Sequence, residues 1–427
     1  MTSRFIRPPL PLAGLLALAV AMGIGRFAFT PVLPMMQADQ GISLAEGGWL
    51  ASANYVGYLV GALMAARSPW PVDALLRRGL WLVVITTAAM SVTGHWGIWL
   101  LWRFLAGVAS AWVLVGTAAL CIARLNTAGR AEQGGVVFAG VGCGIAFAGL
   151  VCMALVLLQA SSSQAWLVLA LAALCGLMGA SVLWAPTISA TPATSRQARV
   201  SRIAPTGESP TTHETRKTGD SKTTAEPTPK TNAQPAPTPL HHGLHWGLIW
   251  CYGVFGFGYI LPATFLPAQA RMLVPDPLLF SLAWPVFGLA SAASTLIASR
   301  LLRRYTRCEV WAGAQIVMAV GVLTPVWIHN LAAILVAAVC VGSTFMVITM
   351  VGLQEAQTVM AAPHVKTQMA AMTASFAVGQ LVGPLFFSLT HLWFDAGLGM
   401  ALVLGAIGLV VGAIPILRLQ GGRRTTI

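Results

Sequence analysis

Two arginines stand where a charge is costly. Arg26 lies in Gly23-Ile24-Gly25-Arg26-Phe27 and Arg103 in Trp102-Arg103-Phe104-Leu105-Ala106-Gly107, both inside long apolar runs. An ionisable group at the centre of a membrane helix costs at least ~2.5–3.5 kcal/mol, so it is a functional candidate by default. The guanidinium is a rigid fork of donors that matches a carboxylate or phosphate. Arg26, about halfway along its run, is too deep to reach water easily, and is the first candidate for holding an anion. Its competing role is to cap carbonyls freed by Pro31 or to bond to neighbouring helices. Arg103 sits nearer the start of its run, where a structural bond to neighbouring helix ends competes with a gating role. Asn54 and Tyr58 are four apart and share a helix face. Tyr259 and Gln380 are the other polar candidates for ligand contact; Tyr252 and Gln315 rank behind them.

The acids are informative by their placement. Asp39, Glu46, Asp276 and Asp395 fall outside the apolar runs or at their edges. Asp73, Glu132, Glu309 and Glu355 fall at the opposite ends or in loops, and the rest lie within 186–243. Glu46 has a local task, because Ser43-x-x-Glu46 reads as a capping box. No carboxylate occupies mid-run, where a proton or sodium relay would place one. The seven Cys show no ligand spacing and no Walker GxxxxGK[ST] is present, so no metal, cofactor or nucleotide site is expected. His241, His242 and His245 read as a polar lead-in rather than a metal site.

The elements that position these residues follow from composition. The 427 residues are 57% hydrophobic and only 9% charged, against roughly 25% charged in a soluble domain. The solvent is therefore lipid, and each crossing needs about 20 apolar residues. Twelve runs qualify: 10–33, 47–66, 79–94, 96–122, 134–158 and 165–184, then 244–269, 278–299, 309–328, 330–353, 368–390 and 394–418. Gly94-His95 and His329-Asn330 leave room only for tight hairpins. The net charge of +13 does not indicate nucleic acid, because the basic residues lie in short clusters between apolar runs.

With the N-terminus in the cytoplasm, 22 of the 25 Lys and Arg fall on the cytoplasmic side and only Arg271 falls outside. The positive-inside rule then places both termini in the cytoplasm of an inner-membrane protein. A cleaved signal peptide over the first run is the alternative, with Ala17, Ala19 and Ala21 mimicking a cleavage site. Residues 186–243, rich in Pro, Thr, Ser and Ala, cannot bury enough surface to fold and read as a disordered cytoplasmic linker. They divide a first half, 1–185, from a second, 244–427.

The halves echo one another. Gly23 to Pro34 and Gly256 to Pro267 both read GxGx₇LP. Helices 5 and 11 are both glycine-rich at mid-span, with Gly140, Gly142, Gly144 and Gly149 against Gly379 and Gly383-Pro384. Duplicated halves are a transporter signature, and close-packed glycines let the halves rock about a central site.

Arg103-x₃-Gly107 and Gly379-x₃-Gly383-Pro384, on this twelve-helix plan, resemble the major facilitator superfamily. Gly23-Ile24-Gly25-Arg26-Phe27 with Asn54-Tyr55-x-Gly57-Tyr58 resembles its YbfB/YjiJ-type branch. The resemblance implies an all-α membrane fold of two pseudo-symmetric six-helix halves, working as a monomer by alternating access. It puts Arg26 in the central cavity and gives Arg103 a part in gating or proton handling. Gly140, Gly144, Gly379, Gly383 and Pro384 then serve as gating elements. Two departures matter: Ala65 stands where the loop between helices 2 and 3 usually carries Asp, and helix 5 lacks the Pro of the antiporter motif.

The expected function is secondary transport of a small organic anion or zwitterion. Arg26, Asn54, Tyr58, Tyr259 and Gln380 would contact it, and a coupling proton would travel on the substrate or a rim group such as Glu355. An efflux pump for cationic or apolar compounds is the alternative, and should show an acid among its aromatics. A membrane enzyme using His391 and Asp395, or a non-transporting sensor using the linker, are readings from other classes.

Overall fold

Lipid offers no partners to a backbone, so each apolar run satisfies its own N–H and C=O groups by forming a helix. The computed structural model describes residues 9–92, 94–184, 243–273, 277–328, 330–394 and 398–424, and these hold twelve long helices. The first six are α1 (Leu10–Asp39), α2 (Leu44–Arg67), α3 (Val72–Val92), α4 (Trp96–Thr127), α5 (Gly134–Leu157) and α6 (Ser162–Ala180). The second six are α7 (Trp246–Leu273), α8 (Pro277–Leu301), α9 (Arg307–Trp327), α10 (Leu331–Val359), α11 (Val365–Phe394) and α12 (Leu398–Arg424). Among the described residues all but α8 and α11 carry a segment long and apolar enough to cross a membrane. The 186–243 linker, Asp276 and Asp395 lie outside the described residues, apart from Gly243.

Local chemistry sets the helix starts. Ser43 and Glu46 form the expected capping box of α2, and Ser161 with Gln164 and Thr306 with Glu309 do the same for α6 and α9. Asp39, at the end of α1, accepts from the backbone N–H and hydroxyl of Ser162 at the start of α6. A carboxylate at a helix N-terminus is well placed against its dipole. Several boundaries differ from the sequence expectation. α3 starts at Val72 rather than residue 79, α4 runs to Thr127 rather than 122 and α12 to Arg424 rather than 418. Each extends past the apolar run into polar, Arg-bearing turns, and α1 and α10 also run long. α1 runs to Asp39 rather than residue 33, because a new α-helical segment starts at Phe29 and Pro31 falls in its first turn, where a missing N–H costs nothing. α10 runs to Val359 rather than residue 353. Its polar tail is covered by α9, and Arg307 Nε donates to the buried Glu355 carboxylate at 3.0 Å.

Glycines bring the helices together. α5 presents two faces: Gly140 and Gly144 lie against the backbone of α1 at Leu15 and Ala19, and Gly135, Gly142 and Gly149 lie against α8. A Cβ on Gly142 would overlap the backbone of Gly288 and Ala292. In the second half Gly379 meets the α7 backbone at Gly253 and Phe257, and Gly383 meets Ile260. Thus α5 on α1 and α11 on α7 are equivalent contacts in the two halves. The halves join through α5 against α8 and α2 against α11. Outward faces are apolar, with Leu157, Val320 and Leu289 each more than half exposed, as suits a bilayer.

One end of the bundle carries Arg67, Arg77, Arg78, Arg124, Arg130, Arg300, Arg303, Arg304, Arg307 and Lys366; it is called the basic end below. There the halves are clasped. Lys366 Nζ donates to the carbonyls of Ser68 (2.6 Å) and Trp70 (3.2 Å), and Arg303 pairs with Glu132 at 2.9 Å. The Arg303 pair is exposed on both sides and contributes at most about 1 kcal/mol.

Replacing Gly142 by Ala should therefore lower the melting temperature of the detergent-purified protein, because overpacking a tight seam costs about 1–3 kcal/mol. Gly313→Ala is the control, since a Cβ at Gly313 meets nothing within 4 Å. Equal melting temperatures for both variants would count against the seam.

Candidate functional site

The GxG segment of α1 folds unusually. Ala19–Phe27 forms a π-helix between two α-helical segments. Widened turns of this kind concentrate at functional sites. Their i→i+5 pattern displaces backbone acceptors, and the carbonyl of Arg26 would look to residue 31, which is a proline without an N–H. α4 brings further donors to this stretch. Arg103 Nη1 donates to Gly25 O at 3.2 Å and Nη2 to Arg26 O at 3.3 Å, while the single Ser110 hydroxyl proton is shared between Ala21 O at 2.8 Å and Ala106 O of its own turn at 2.7 Å. Arg103 is 3% exposed and its guanidinium lies 4.5 Å from the Phe29 ring centroid. Asn54 Nδ2 donates to Arg103 O at 3.0 Å, fixing α2 to this corner. Capping carbonyls near Pro31, a role open to Arg26 from the sequence, is thus performed by Arg103.

Arg26 is released from that task and points between the halves. It is 4% exposed, and its Nη2 donates to Oε1 of Gln380 on α11. Its Nε and Nη1 have no hydrogen-bond partner, and no carboxylate pairs with it among the described residues. Aromatic faces surround it: the guanidinium carbon lies 4.0 Å from the Tyr58 ring centroid, 5.3 Å from Tyr55 and 5.7 Å from Phe27. Desolvated cation–π contacts are worth about 2 kcal/mol or more, so these rings offset part of the burial cost.

The second half contributes an aromatic ladder. Tyr259 stacks on Phe345 (5.2 Å between centroids), Phe345 on Phe287 (5.3 Å) and Phe287 on Trp284 (5.5 Å). Phe27 crosses from α1 to meet Phe345 edge-on and lies beside Trp284. Of the expected contact residues, Arg26, Tyr58 and Gln380 meet directly, and Tyr259 joins them through Phe345 and Phe27. Asn54 instead supports the Arg103 corner. Tyr252 packs on Phe255, Trp311 and Phe376 in the core of the second half, and Gln315 is fully buried in α9 near Gly412. Pro384 lies within α11, one residue after Gly383. Tyr55, Phe27, Phe345 and Trp284 escaped the sequence reading, because in a chain this rich in apolar residues an aromatic carries no distinguishing signal. Phe27 and Tyr55 had one, standing beside Arg26 and Asn54 in the two motifs.

The sequence model of the family described as "Uncharacterised MFS-type transporter YbfB" matches residues 18–211 and 221–417, nearly the whole chain. The chain belongs to this family of the major facilitator superfamily. It is therefore a multi-pass membrane protein. An uncharacterized MFS-type transporter of Yersinia pestis (strain Pestoides F) is 29% identical over 133 residues, as is that of Yersinia pseudotuberculosis serotype O:1b. The alignment covers 30% of this chain and 34% of each relative, so the chain spans about a third of the length of the curated relatives it matches. Among solved structures, the human organic anion transporter MFSD10 (TETRAN) has the same fold, with a TM-score of 0.66 over 96% of this chain and 100% of that chain. At 13% identity that likeness is one of fold alone.

Arg103→Gln should remove the charged donors to the Gly25 and Arg26 carbonyls and cost about 1–3 kcal/mol, seen as a lower melting temperature. Arg103→Lys should recover part of the loss. An unchanged melting temperature in Arg103→Gln would mean that α4 does not hold the π-helix.

Proposed function

We propose that this protein is a secondary transporter that moves a small organic anion or zwitterion across the inner membrane by alternating access. The observation that carries this reading is the Arg26 guanidinium: buried at the junction of the halves, two nitrogens unpartnered, and bridged to Gln380 of the opposite half. A carboxylate fits that fork, and a bond between two ionised groups is stronger than the guanidinium-to-amide bond it would displace. Tyr58, Tyr55 and Phe27 would lie along the substrate's body, with Tyr259 beyond. Asn54 would act indirectly, through the Arg103 corner.

The clasp at the basic end supports a cycle in which that end opens and closes. In this reading Gly140, Gly144, Gly379, Gly383 and Pro384 are the contacts on which α1, α5, α7 and α11 shift. Both termini and the basic end face the cytoplasm, as the positive-inside rule requires. A coupling proton would travel on the substrate or use Glu355, the buried carboxylate among the described residues, held by Arg307. The protein works as a monomer, with no enzymatic step. The aromatic ladder favours a second reading, efflux of apolar or cationic compounds, but a buried arginine at the centre opposes cations.

Thermal shift on the purified protein separates the two. Mono- and dicarboxylates or amino acids should raise the melting temperature by mass action, and Arg26→Gln should abolish the rise at a concentration of about 100 Kd, where it corresponds to about 2.7 kcal/mol. Stabilisation by cationic dyes alone, unchanged in Arg26→Gln, would sink the anion reading.

A further inference from the structure

A second cavity lies away from the junction of the halves. α2 and α3 each pack along α4 rather than on one another, which leaves a groove of about 410 Å³ between them at the basic end. All of its lining residues belong to the first half, so it is separate from the Arg26 site. Leu63 and Met64 form one apolar wall and are about 40% exposed, facing where lipid must be. Leu75 and Trp112 form the floor, and Trp70, on the 68–71 connection, forms the lip.

The polar groups of this groove are few: its acceptors at Ser68 and Trp70 are already engaged by the Trp70 N–H and by Lys366, which leaves donors to meet a ligand. Trp112 is 8% exposed and its Nε1 has no hydrogen-bond partner, although its ring meets Trp70 edge-on at 5.5 Å. An indole N–H buried beside an open groove is an unmet donor, and leaving it unmet is costly. Arg67 is exposed at the mouth, and the Arg78 guanidinium lies 4.0 Å from the Trp70 ring. An apolar channel with a deep donor and two cations at its rim complements one kind of molecule: an acyl chain joined to an anionic, oxygen-rich head. Basic residues beside a membrane surface favour such lipids, and tryptophans sit at the headgroup level.

We propose that this groove binds one anionic phospholipid, with acyl carbons along Leu63 and Met64, a glycerol-ester or phosphate oxygen accepting from Trp112 Nε1, and the head facing Arg67. The same connection supplies the Ser68 and Trp70 carbonyls that hold Lys366, so the lipid would sit against the clasp.

The test uses the full chain in detergent, titrated with phosphatidylglycerol or with phosphatidylcholine of identical acyl chains, and reads melting temperature and lipid adducts by native mass spectrometry. Phosphatidylglycerol should stabilise more and give the retained adduct. Trp112→Phe, which removes only the N–H and keeps most of the ring, and Arg67→Gln should each weaken its apparent affinity about tenfold. If Trp112→Phe does not yield folded protein, Arg67→Gln, at an exposed side chain, decides alone. Equal response to both lipids, or an unchanged phosphatidylglycerol response in the variants, overturns the proposal. Stabilisation by glycerol 3-phosphate as strong as by the lipid would also overturn it, since the site would then take a soluble phosphate.

Discussion

A cation enclosed between two apolar half-molecules has to be covered, and the way Arg26 is covered shapes everything around it. Its charge is met by ring faces and one amide oxygen rather than by an acid, so the site keeps a net positive character. Its direction depends on the widened turn of α1, whose carbonyls at Gly25 and Arg26 accept from Arg103 on α4. Gly23 and Gly25 let the turn lie close: Gly23 touches the Gly144 backbone of α5, and Gly25 faces Val83 and Ser110. The GxGR motif is thus one device, two glycines for approach and one arginine aimed across the junction.

The contacts between halves differ in kind from those within them. Within a half, α1 on α5 and α7 on α11 are backbone-to-backbone crossings at glycine, which in lipid are held by close van der Waals packing. Between halves, among the described residues, the same closeness recurs along α5 and α8, where Gly142 and Gly288 interlock. The other links are side-chain packing of α2 on α11, the Phe27 contacts with Phe345 and Trp284, and individual polar bonds such as Arg26 to Gln380, Lys366 to the 68–71 connection and Arg303 to Glu132. Such bonds can be exchanged for water or ligand at modest cost, whereas a glycine seam can only slide. A fold built to rock would distribute its contacts this way.

Much of this was legible in the sequence. Apolar run length gave twelve helices, Ser43 and Glu46 gave a cap, and the GxGx₇LP repeat marked the pair α1 and α7 that the halves present to the junction. Arg26 could be singled out because a charge in an apolar run stands alone against its background. What the sequence hid was long-range. Nothing local says that Arg103 reaches the carbonyls of Gly25 and Arg26, since a π-helix has no signature of its own and the donor lies 77 or 78 residues away. Asn54 and Tyr58 share a face by spacing, yet one bonds to α4 and the other lies under Arg26, because helix packing divides a face that periodicity treats as uniform. The end of α10 was misplaced for a related reason: Glu355 looks like a loop residue until Arg307 is seen to cover it.

The Arg26–Gln380 bridge also constrains how a ligand could act on the proposed cycle. Gln380 is fully buried on α11, and its amide oxygen is a neutral acceptor for a charged donor. A carboxylate competes better for the same nitrogen and can engage the unpartnered ones as well, so anion entry would trade a bond between halves for bonds within the first half. The ligand would then favour whichever state separates α1 from α11, by its differential affinity for the two arrangements. A cation gains nothing from that exchange: it meets Arg26 at short range in a poorly screened interior, where like charges repel most strongly. Selection for anions and release of the bridge would be one event, because the same guanidinium performs both.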